Sequence, residues 1–203
     1  MYFHPGAHER ILSAGLELFS RRGFENTTVP QIAKYARVGL NTFYKYFRNK
    51  EELLNQIYRE LRRLLAAVLD RTPGHGESPR HQFQELWQEM IHFDREHPDV
   101  VGFLEHRHHG AYLDETSRPL ERVPQPIVDL VERLQREHAI RQNVAPAILA
   151  AIVWGTFVEL VKLDSQGRLS LTPSRLEGAE ECIWDAIRAA ERDEKTTRDA
   201  ATH

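Results

Sequence analysis

Apolar residues recur every three or four positions along most of the chain, which is the spacing of one face of an α-helix. The first such face contains Ile11, Leu18 and Phe19, and Gly23 follows where a glycine commonly ends a helix. No stretch alternates apolar and polar residues with the β-branched enrichment typical of a strand. The pattern therefore predicts an all-α protein.

Capping signals mark where the next helices begin. Thr28 and Gln31 form a capping box, in which each side chain can bind the backbone N–H of the other, and Asn49 and Glu52 form another. The turn at 37–39 separates the two short helices that lie between these boxes. The signals predict a head of three helices followed by one long helix, whose inner face carries Leu53, Leu54, Ile57, Leu61, Leu64, Leu65 and Val68.

Proline and glycine divide the remainder of the chain into further helices. Residues 72–79 form the clearest loop, and Ser78 and Pro79 are placed to begin the helix after it. Later helices are predicted over 98–110, from 119, over about 146–163 and from 172. About nine helices result, three in a head (1–48) and the rest in a body (49–195), followed by a disordered tail (196–203).

Composition narrows the class of protein. The 203 residues, 41% apolar and 28% charged, are enough to bury a sizeable core. The single cysteine, Cys182, excludes a disulfide within the chain and is predicted to be a small buried hydrophobe. The first residues contain no apolar run of a secretory signal, and the longest uncharged stretch, 142–158, is 17 residues long, whereas a membrane helix needs about 20 apolar ones. A cytoplasmic protein with no membrane partner is expected.

The net charge of −3 hides an asymmetry along the chain. Residues 1–50 carry eight basic and three acidic side chains, a balance of +5, and the remainder carries nineteen and twenty-seven, a balance of −8. A basic head on an acidic body indicates that the head is the part that meets a polyanion.

Two short helices joined by a three-residue turn describe a helix-turn-helix, in which the second helix enters the major groove of DNA. Asn can bind adenine, Lys can donate to guanine, and Thr can touch a thymine methyl, whereas tyrosines, a lysine and helix N-termini suit phosphates. Any three-helix unit with a polar surface would look similar from the pattern alone. The predicted reading helix presents Leu40, Asn41, Thr42, Tyr44, Lys45 and Tyr46, and the predicted phosphate contacts include Lys50, Thr27 and Thr28.

The head also resembles a known family over about residues 8–55. The matching positions include Gly23-Phe24, Thr27-Thr28-Val29, Ile32-Ala33, Thr42-Phe43-Tyr44 and Tyr46-Phe47, and their fixed spacing resembles the signature of TetR-family transcriptional regulators. This resemblance implies a homodimer with two DNA-binding heads and with bodies that bind a small effector, which lowers the affinity for the operator.

Two positions depart from the family pattern. Arg37 stands where the family usually has glycine, and Gly39 stands where it usually has the serine that caps the reading helix. A glycine cap costs a few tenths of a kcal/mol, and a left-handed Arg37 would cost about 1 kcal/mol. Both residues belong to the predicted DNA-binding set.

A small-residue seam marks a candidate dimer interface in the body. Ala147, Ala151 and Gly155 recur every four residues on the next-to-last helix, and such a seam allows two helices to approach closely. The alternative is an ordinary core helix. The last helix would complete the interface with Leu176, Ala179, Ile183, Ala186 and Ile187.

Large side chains on the body helices are candidates for an effector pocket, although such residues are more often simply core. His106 and His109 share one helical face and suit polar contacts with an organic effector. A solvated histidine face is at least as plausible an alternative, and a transition metal bound with His92, His97 or Glu105 is a minor one. The apolar lining is predicted from Trp87, Met90, Phe93, Phe103, Tyr112, Trp154 and Phe157.

These features favour a regulator over an enzyme, because the sequence contains no phosphate loop, no G-x-S-x-G elbow and no H-E-x-x-H motif. We expect a homodimeric repressor of a pseudo-palindromic operator, released by a small, mainly apolar effector and holding no cofactor. An activator or nucleoid-organising protein that needs no effector is the alternative, and a metal-responsive repressor is a minor one.

Overall fold

The computed structural model describes residues 6–70, 78–105, 110–118 and 123–189. Within these ranges the chain forms nine α-helices and a short 3₁₀ turn at Gly110–Tyr112, so the all-α prediction is confirmed. The predicted tail, 196–203, lies outside the described residues. The helices are α1 (Ala7–Arg22), α2 (Val29–Tyr35), α3 (Leu40–Tyr46), α4 (Lys50–Leu69), α5 (Pro79–Glu96), α6 (Pro98–Leu104), α7 (Gln125–Arg136), α8 (Pro146–Ser165) and α9 (Pro173–Ile187).

Side-chain caps fix where several of these helices begin. The carboxamide oxygen of Asn49 accepts from the backbone N–H of Glu52 at 2.8 Å, and Thr172 caps α9 in the same way. At α2, the side-chain oxygen of Gln31 accepts from the N–H of Thr28 at 2.9 Å. These bonds satisfy donors that a helix N-terminus otherwise leaves unpaired. The starts of α2, α4 and α9 therefore agree with the sequence prediction.

The head, α1 to α3, is built onto the first half of α4. Phe43 and Phe47 are fully buried between the helices of the head. Gly15 lets α1 lie very close to α4, because a Cβ atom at this position would come within 2.8 Å of Leu53 and 2.9 Å of Ile57. Since Leu53 and Ile57 are also fully buried, the head shares its core with the long helix that leads into the body.

The body is formed by the rest of α4 together with α5 to α9. The helix α4 contacts α5, α6 and α7, and α8 packs on α6, α7 and α9. The indole N–H of Trp87 donates to the carbonyl of Leu176 at 3.1 Å, and Arg80 forms a double hydrogen bond with the buried carboxylate of Glu180. These two contacts tie α5 to α9.

Three expectations about the body need correction. The helix α6 ends at Leu104 and not at Gly110, and α7 begins at Gln125 and not near 119. Buried Asn55 fixes the backbone at residues 112–114 outside any α-helix, because its side chain donates to the carbonyl of Tyr112 and accepts from the N–H of Asp114. The thiol of Cys182 is exposed on α9, not buried.

The helix α8 begins at Pro146 as predicted and ends at Ser165, two residues beyond the predicted end. It runs for 20 residues, and by length and composition alone it is the one described helix that could cross a membrane. One side of it, including Leu149, Val153 and Phe157, is buried against the body, as in the core helix of a folded protein. Its other side, which carries Ile148 and Ile152, is exposed.

Candidate nucleic-acid interface

The helix α3 buries one side and exposes the other. Phe43 points inward and is fully buried, whereas Asn41 and Lys45 are exposed and Thr42 is half-buried. The alternation follows from the helical spacing, since residues 43 and 47 lie on the same face one turn apart. Leu40, Tyr44 and Tyr46 are also exposed, so the structure places the predicted reading residues on the open side of the head.

Aromatic and aliphatic side chains form an unusual part of this surface. Tyr44 is 56% exposed, and Leu40 and Tyr46 are exposed beside it. Tyr35, at the end of α2, is 53% exposed and was not singled out from the sequence. The sequence signal for an exposed Tyr35 was the polar character of its neighbour Lys34, which is exposed as well. Large apolar side chains are normally buried, so this exposed group marks a surface for a partner.

Basic side chains of the head surround these residues. Lys34, Arg37 and Lys45 are exposed. Arg48 is also exposed, and it forms an ion pair with Glu52 on the first turn of α4. Hydrogen bonds from the backbone N–H and guanidinium of Arg48 hold the pKa of Glu52 below its ordinary value. The face of α3 therefore combines cations with aromatic rings, a combination suited to a nucleic-acid backbone.

The turn between α2 and α3 is held in an unusual backbone conformation. Arg37 has a φ of 55°, in the left-handed region that glycine favours. The N–H groups of Arg37 and Val38 close the turn on the carbonyls of Lys34 and Ala33, at 3.2 and 3.0 Å. Gly39 then caps α3 in an extended conformation. The structure thus confirms the left-handed Arg37 considered from the sequence.

Two predicted phosphate contacts are used inside the head instead. The hydroxyl of Thr27 is buried and donates to the carbonyl of Gly23 at 2.9 Å. The ammonium of Lys50 lies 4.2 Å from the centre of the Phe24 ring and donates to the carbonyls of Phe24 and Thr27, at 2.9 and 3.2 Å. Both groups thus hold the loop after α1 onto α4, and their phosphate contacts stay predictions. Thr28 remains exposed at the start of α2.

The predicted effector residues divide into three groups. Tyr112 lies against the head, where its ring centre is 4.2 Å from that of Phe24, so it is not a pocket residue as predicted. His106 and His109 lie outside the described residues. The remaining six are buried in the core of the body and exposed by 5% or less, namely Trp87, Met90, Phe93, Phe103, Trp154 and Phe157.

The described residues line a groove of about 230 Å³ between α5 and α9. Trp87 and Leu176 lie at its apolar side, and Gln88, His92 and Arg95 contribute polar groups. Of the predicted effector residues, Trp87 alone among those described lines this groove. Within the described ranges, no group of three His, Cys, Asp or Glu side chains is placed to hold a metal ion.

The candidate dimer interface is exposed on α8 but not as predicted on α9. Ala147, Ala151 and Gly155 lie on the open side of α8, next to Ile148, which is 55% exposed, and Ile152. On α9, the stripe of larger residues packs inward because it forms part of the core of a single chain. The α9 part of the prediction is corrected accordingly: Leu176, Ile183 and Ile187 are buried, Ala179 is half-buried, and Ala186 is exposed.

Comparison with known proteins places this geometry in a family. Residues 11–57 match the family described as bacterial regulatory proteins, tetR family, and residues 54–189 match the tetracyclin repressor-like C-terminal domain. The two matches together cover the head and the body.

Individual proteins agree with the family matches. The chain is 30% identical over 96 residues to an HTH-type transcriptional regulator of Haemophilus influenzae. This match covers 47% of this chain and 51% of that protein, so the chain spans about half the length of this relative. It is 26% identical over 166 residues to the regulator YvdT of Bacillus subtilis, covering 77% and 79%. A solved tetR family transcription regulator from Shewanella sp. PV-4 has a TM-score of 0.78 at 16% identity, covering 92% of this chain and all of that one.

Proposed function

Because this chain belongs to the TetR family and is a DNA-binding transcriptional regulator, we propose that it acts in the cytoplasm as a homodimeric repressor that a small ligand releases from its operator. The observation that supports the DNA-binding part most directly is the open face of α3, where Asn41 and Lys45 stand free of the core beside exposed aromatic rings.

Base reading is assigned to the exposed side chains of α3. Asn41 can bind adenine with two hydrogen bonds, and Lys45 can donate to the guanine acceptors of the major groove. Thr42 and Leu40 can touch thymine methyl groups. Phosphate contacts, which position the head, are assigned to Thr28, Arg37, Tyr44 and Tyr46 together with the backbone of Gly39.

The homodimer is assigned to the open side of α8 and the adjacent side of α9. Ile148 and Ile152 expose apolar area that a second copy would remove from water, at about 25 cal/mol per Å². Small residues at Ala151 and Gly155 would let the two α8 helices approach closely, and no atom lies within 4 Å of a Cβ placed on Gly155. Two heads related by a two-fold axis would read inverted half-sites.

Sequence selection from random duplexes tests the proposal. The purified full chain should enrich an inverted repeat, and its affinity should fall steeply with salt because bound phosphates release counterions. Asn41→Ala should relax the preference at one base position in each half-site, and Asn143→Ala, at an exposed body position, should not. Failure to enrich any sequence would contradict the proposal. If the protein enriches no inverted repeat but coats DNA uniformly, the nucleoid-organising alternative is favoured.

A further inference from the structure

The helix α4 carries a buried arginine at the point where it passes α6. The Arg62 side chain is 6% exposed. Its Nε and Nη2 atoms donate to the hydroxyl oxygen of Tyr58, which is fully buried, at 3.2 and 3.0 Å. Nη2 also donates to a carboxylate oxygen of Glu105, the C-cap residue of α6, at 3.1 Å. Two sides of the guanidinium are thus bound within the chain.

The third side of the guanidinium has no partner among the described residues. The Nη1 atom of Arg62 is buried and makes no hydrogen bond to any of them. It carries two N–H donors, and a buried donor left unpaired costs about 1–3 kcal/mol, more when the group is charged. Charged side chains are almost never buried without full pairing. Retaining such a donor inside the body is therefore costly unless something else binds it.

We propose that Nη1 of Arg62 binds the carboxylate of the small molecule that releases the protein from DNA. This inference rests on the proposed ligand response and names the chemical class of the ligand. A carboxylate supplies the acceptor oxygens that a guanidinium fits best, through short, charge-assisted hydrogen bonds. Because Glu105 already provides one negative charge, a ligand with a single negative charge suits the site better than a dianion.

The helices that hold Arg62 suggest the rest of the ligand. Leu61 and Leu65 are near Arg62 in the sequence of α4, Phe103 lies on α6, which contacts α4, and all three are buried. We infer an apolar skeleton beside the carboxylate because this part of the body is apolar. The ligand is thus a monocarboxylate with a mainly apolar skeleton.

The same contact links the ligand to the head. A carboxylate on Nη1 places a second negative charge beside Glu105, which is bonded to Nη2 and holds the end of α6 onto α4, and the repulsion between the two favours release of Glu105. Seven residues further along the chain, Tyr112 contacts Phe24 and Glu25 of the head. Displacing Glu105 would therefore free the end of the body helix that leads towards this contact.

Calorimetric titration of the full chain tests the proposal. The probes are naphthoate and the saturated monocarboxylates from butanoate to hexadecanoate. Each carboxylate is compared with its own primary amide. The best carboxylate should bind at least about tenfold tighter than its amide. Arg62→Met should abolish this preference. Arg63→Met should keep it, because the neighbouring Arg63 is exposed and paired with Glu60. Glu105→Gln should strengthen carboxylate binding several-fold, because a competing charge is lost.

Each outcome decides the proposal. It is overturned if no carboxylate binds tighter than about 1 mM, if the amides bind equally well, or if the preference survives Arg62→Met. If Arg62→Met does not fold, as judged by its helical circular dichroism, weaker or unchanged carboxylate binding by Glu105→Gln overturns it. Carboxylate binding through Arg62 without release of operator DNA would instead contradict ligand-released repression and leave this site standing.

Discussion

The hydroxyl of Tyr112 donates a 2.7 Å hydrogen bond to the carboxylate of Glu25 and so joins the segment after α6 to the loop after α1. This bond to the carboxylate also raises the pKa of Tyr112 above its ordinary value. On the other side of Tyr112, its carbonyl accepts from the buried side chain of Asn55 at 2.9 Å. The head therefore contacts the body at a second place, apart from α4.

Removing this hydroxyl tests the link. Tyr112→Phe keeps the ring on Phe24 but loses the bond to Glu25, so we expect faster hydrogen exchange at the amides of Gly23 and Thr27. Because the bond is exposed, the free energy of unfolding should fall by less than about 1 kcal/mol. Tyr35→Phe, at an exposed tyrosine of the same head, should leave both amides unchanged. Equal exchange in the two variants would show that the hydroxyl does not restrain the loop.

Lys50 and Lys45 should separate stability from DNA binding. Lys50→Ala removes a charged donor from the carbonyls of Phe24 and Thr27, so the free energy of unfolding in urea should fall by about 1–3 kcal/mol. Lys45→Ala, at an exposed position, should change stability by less than about 0.5 kcal/mol but weaken operator binding by about 1–3 kcal/mol. If Lys50→Ala keeps full stability but binds DNA more weakly, the result would support the phosphate contact predicted from the sequence.

The left-handed backbone at Arg37 predicts a stabilising substitution. Glycine removes the clash of a Cβ atom in this conformation, which is worth about 1–2 kcal/mol, but it also loosens the unfolded chain by up to about 1 kcal/mol. Arg37→Gly should therefore raise the free energy of unfolding by up to about 1 kcal/mol. Among the described residues, His138 is the other non-glycine residue with a left-handed backbone, and His138→Gly should raise the free energy of unfolding in the same way. A lower urea midpoint for Arg37→Gly would show that the side chain stabilises the turn.

Asp94 predicts a pH dependence of stability. Its Oδ1 atom is buried and has no hydrogen-bond partner in the part of the chain that the structure describes, and burial, helped by the charge of Asp164, raises the pKa of Asp94 to about 6. The folded state therefore binds a proton more tightly than the unfolded state. This stabilisation is complete below about pH 4 and is lost as the pH rises through about 6.

Asp94→Asn should consequently stabilise the protein at pH 7.5 and have little effect at about pH 4; because the carboxyl is only half-buried and solvent screens it, the gain should be about 1 kcal/mol. Thermal unfolding across this range measures the difference. Asp164→Asn removes the neighbouring charge and so lowers the pKa of Asp94. In this variant, stability should begin to fall at a lower pH than in the wild type. A constant difference between Asp94→Asn and wild type at every pH would exclude titration of Asp94 as the cause.

The open side of α8 predicts a substitution that breaks the proposed dimer but not the fold. Ala151 is exposed in a single chain, so Ala151→Arg should leave the helical content unchanged while placing a charge in the interface. Sedimentation should show monomers at concentrations where the wild type is dimeric. Ala67→Arg, at an exposed position of α4, should stay dimeric. An unaltered dimer with Ala151→Arg would locate the interface elsewhere.

The local sequence determined where most helices begin and which side of α3 faces outward. Thr28, Asn49 and Thr172 cap their helices through hydrogen bonds with residues only three positions further along the chain. Their effect therefore depends on the local sequence. Likewise, Phe43 and Phe47 reveal a buried face by spacing alone. For these reasons the helix-turn-helix and the reading residues from Leu40 to Tyr46 could be placed before any tertiary contact was known.

Tertiary structure alone decided which of several equally plausible partners each longer or polar side chain takes. Lys50 suits a phosphate as well as it suits the carbonyls of Phe24 and Thr27, which lie more than twenty residues away in the sequence. The aromatic ring of Tyr112 is as suitable for a pocket as for the surface of Phe24. A helical stripe such as the one through Ile183 shows that a face is apolar but not whether the same chain or a second copy covers it, because burial depends on how the helices pack in space.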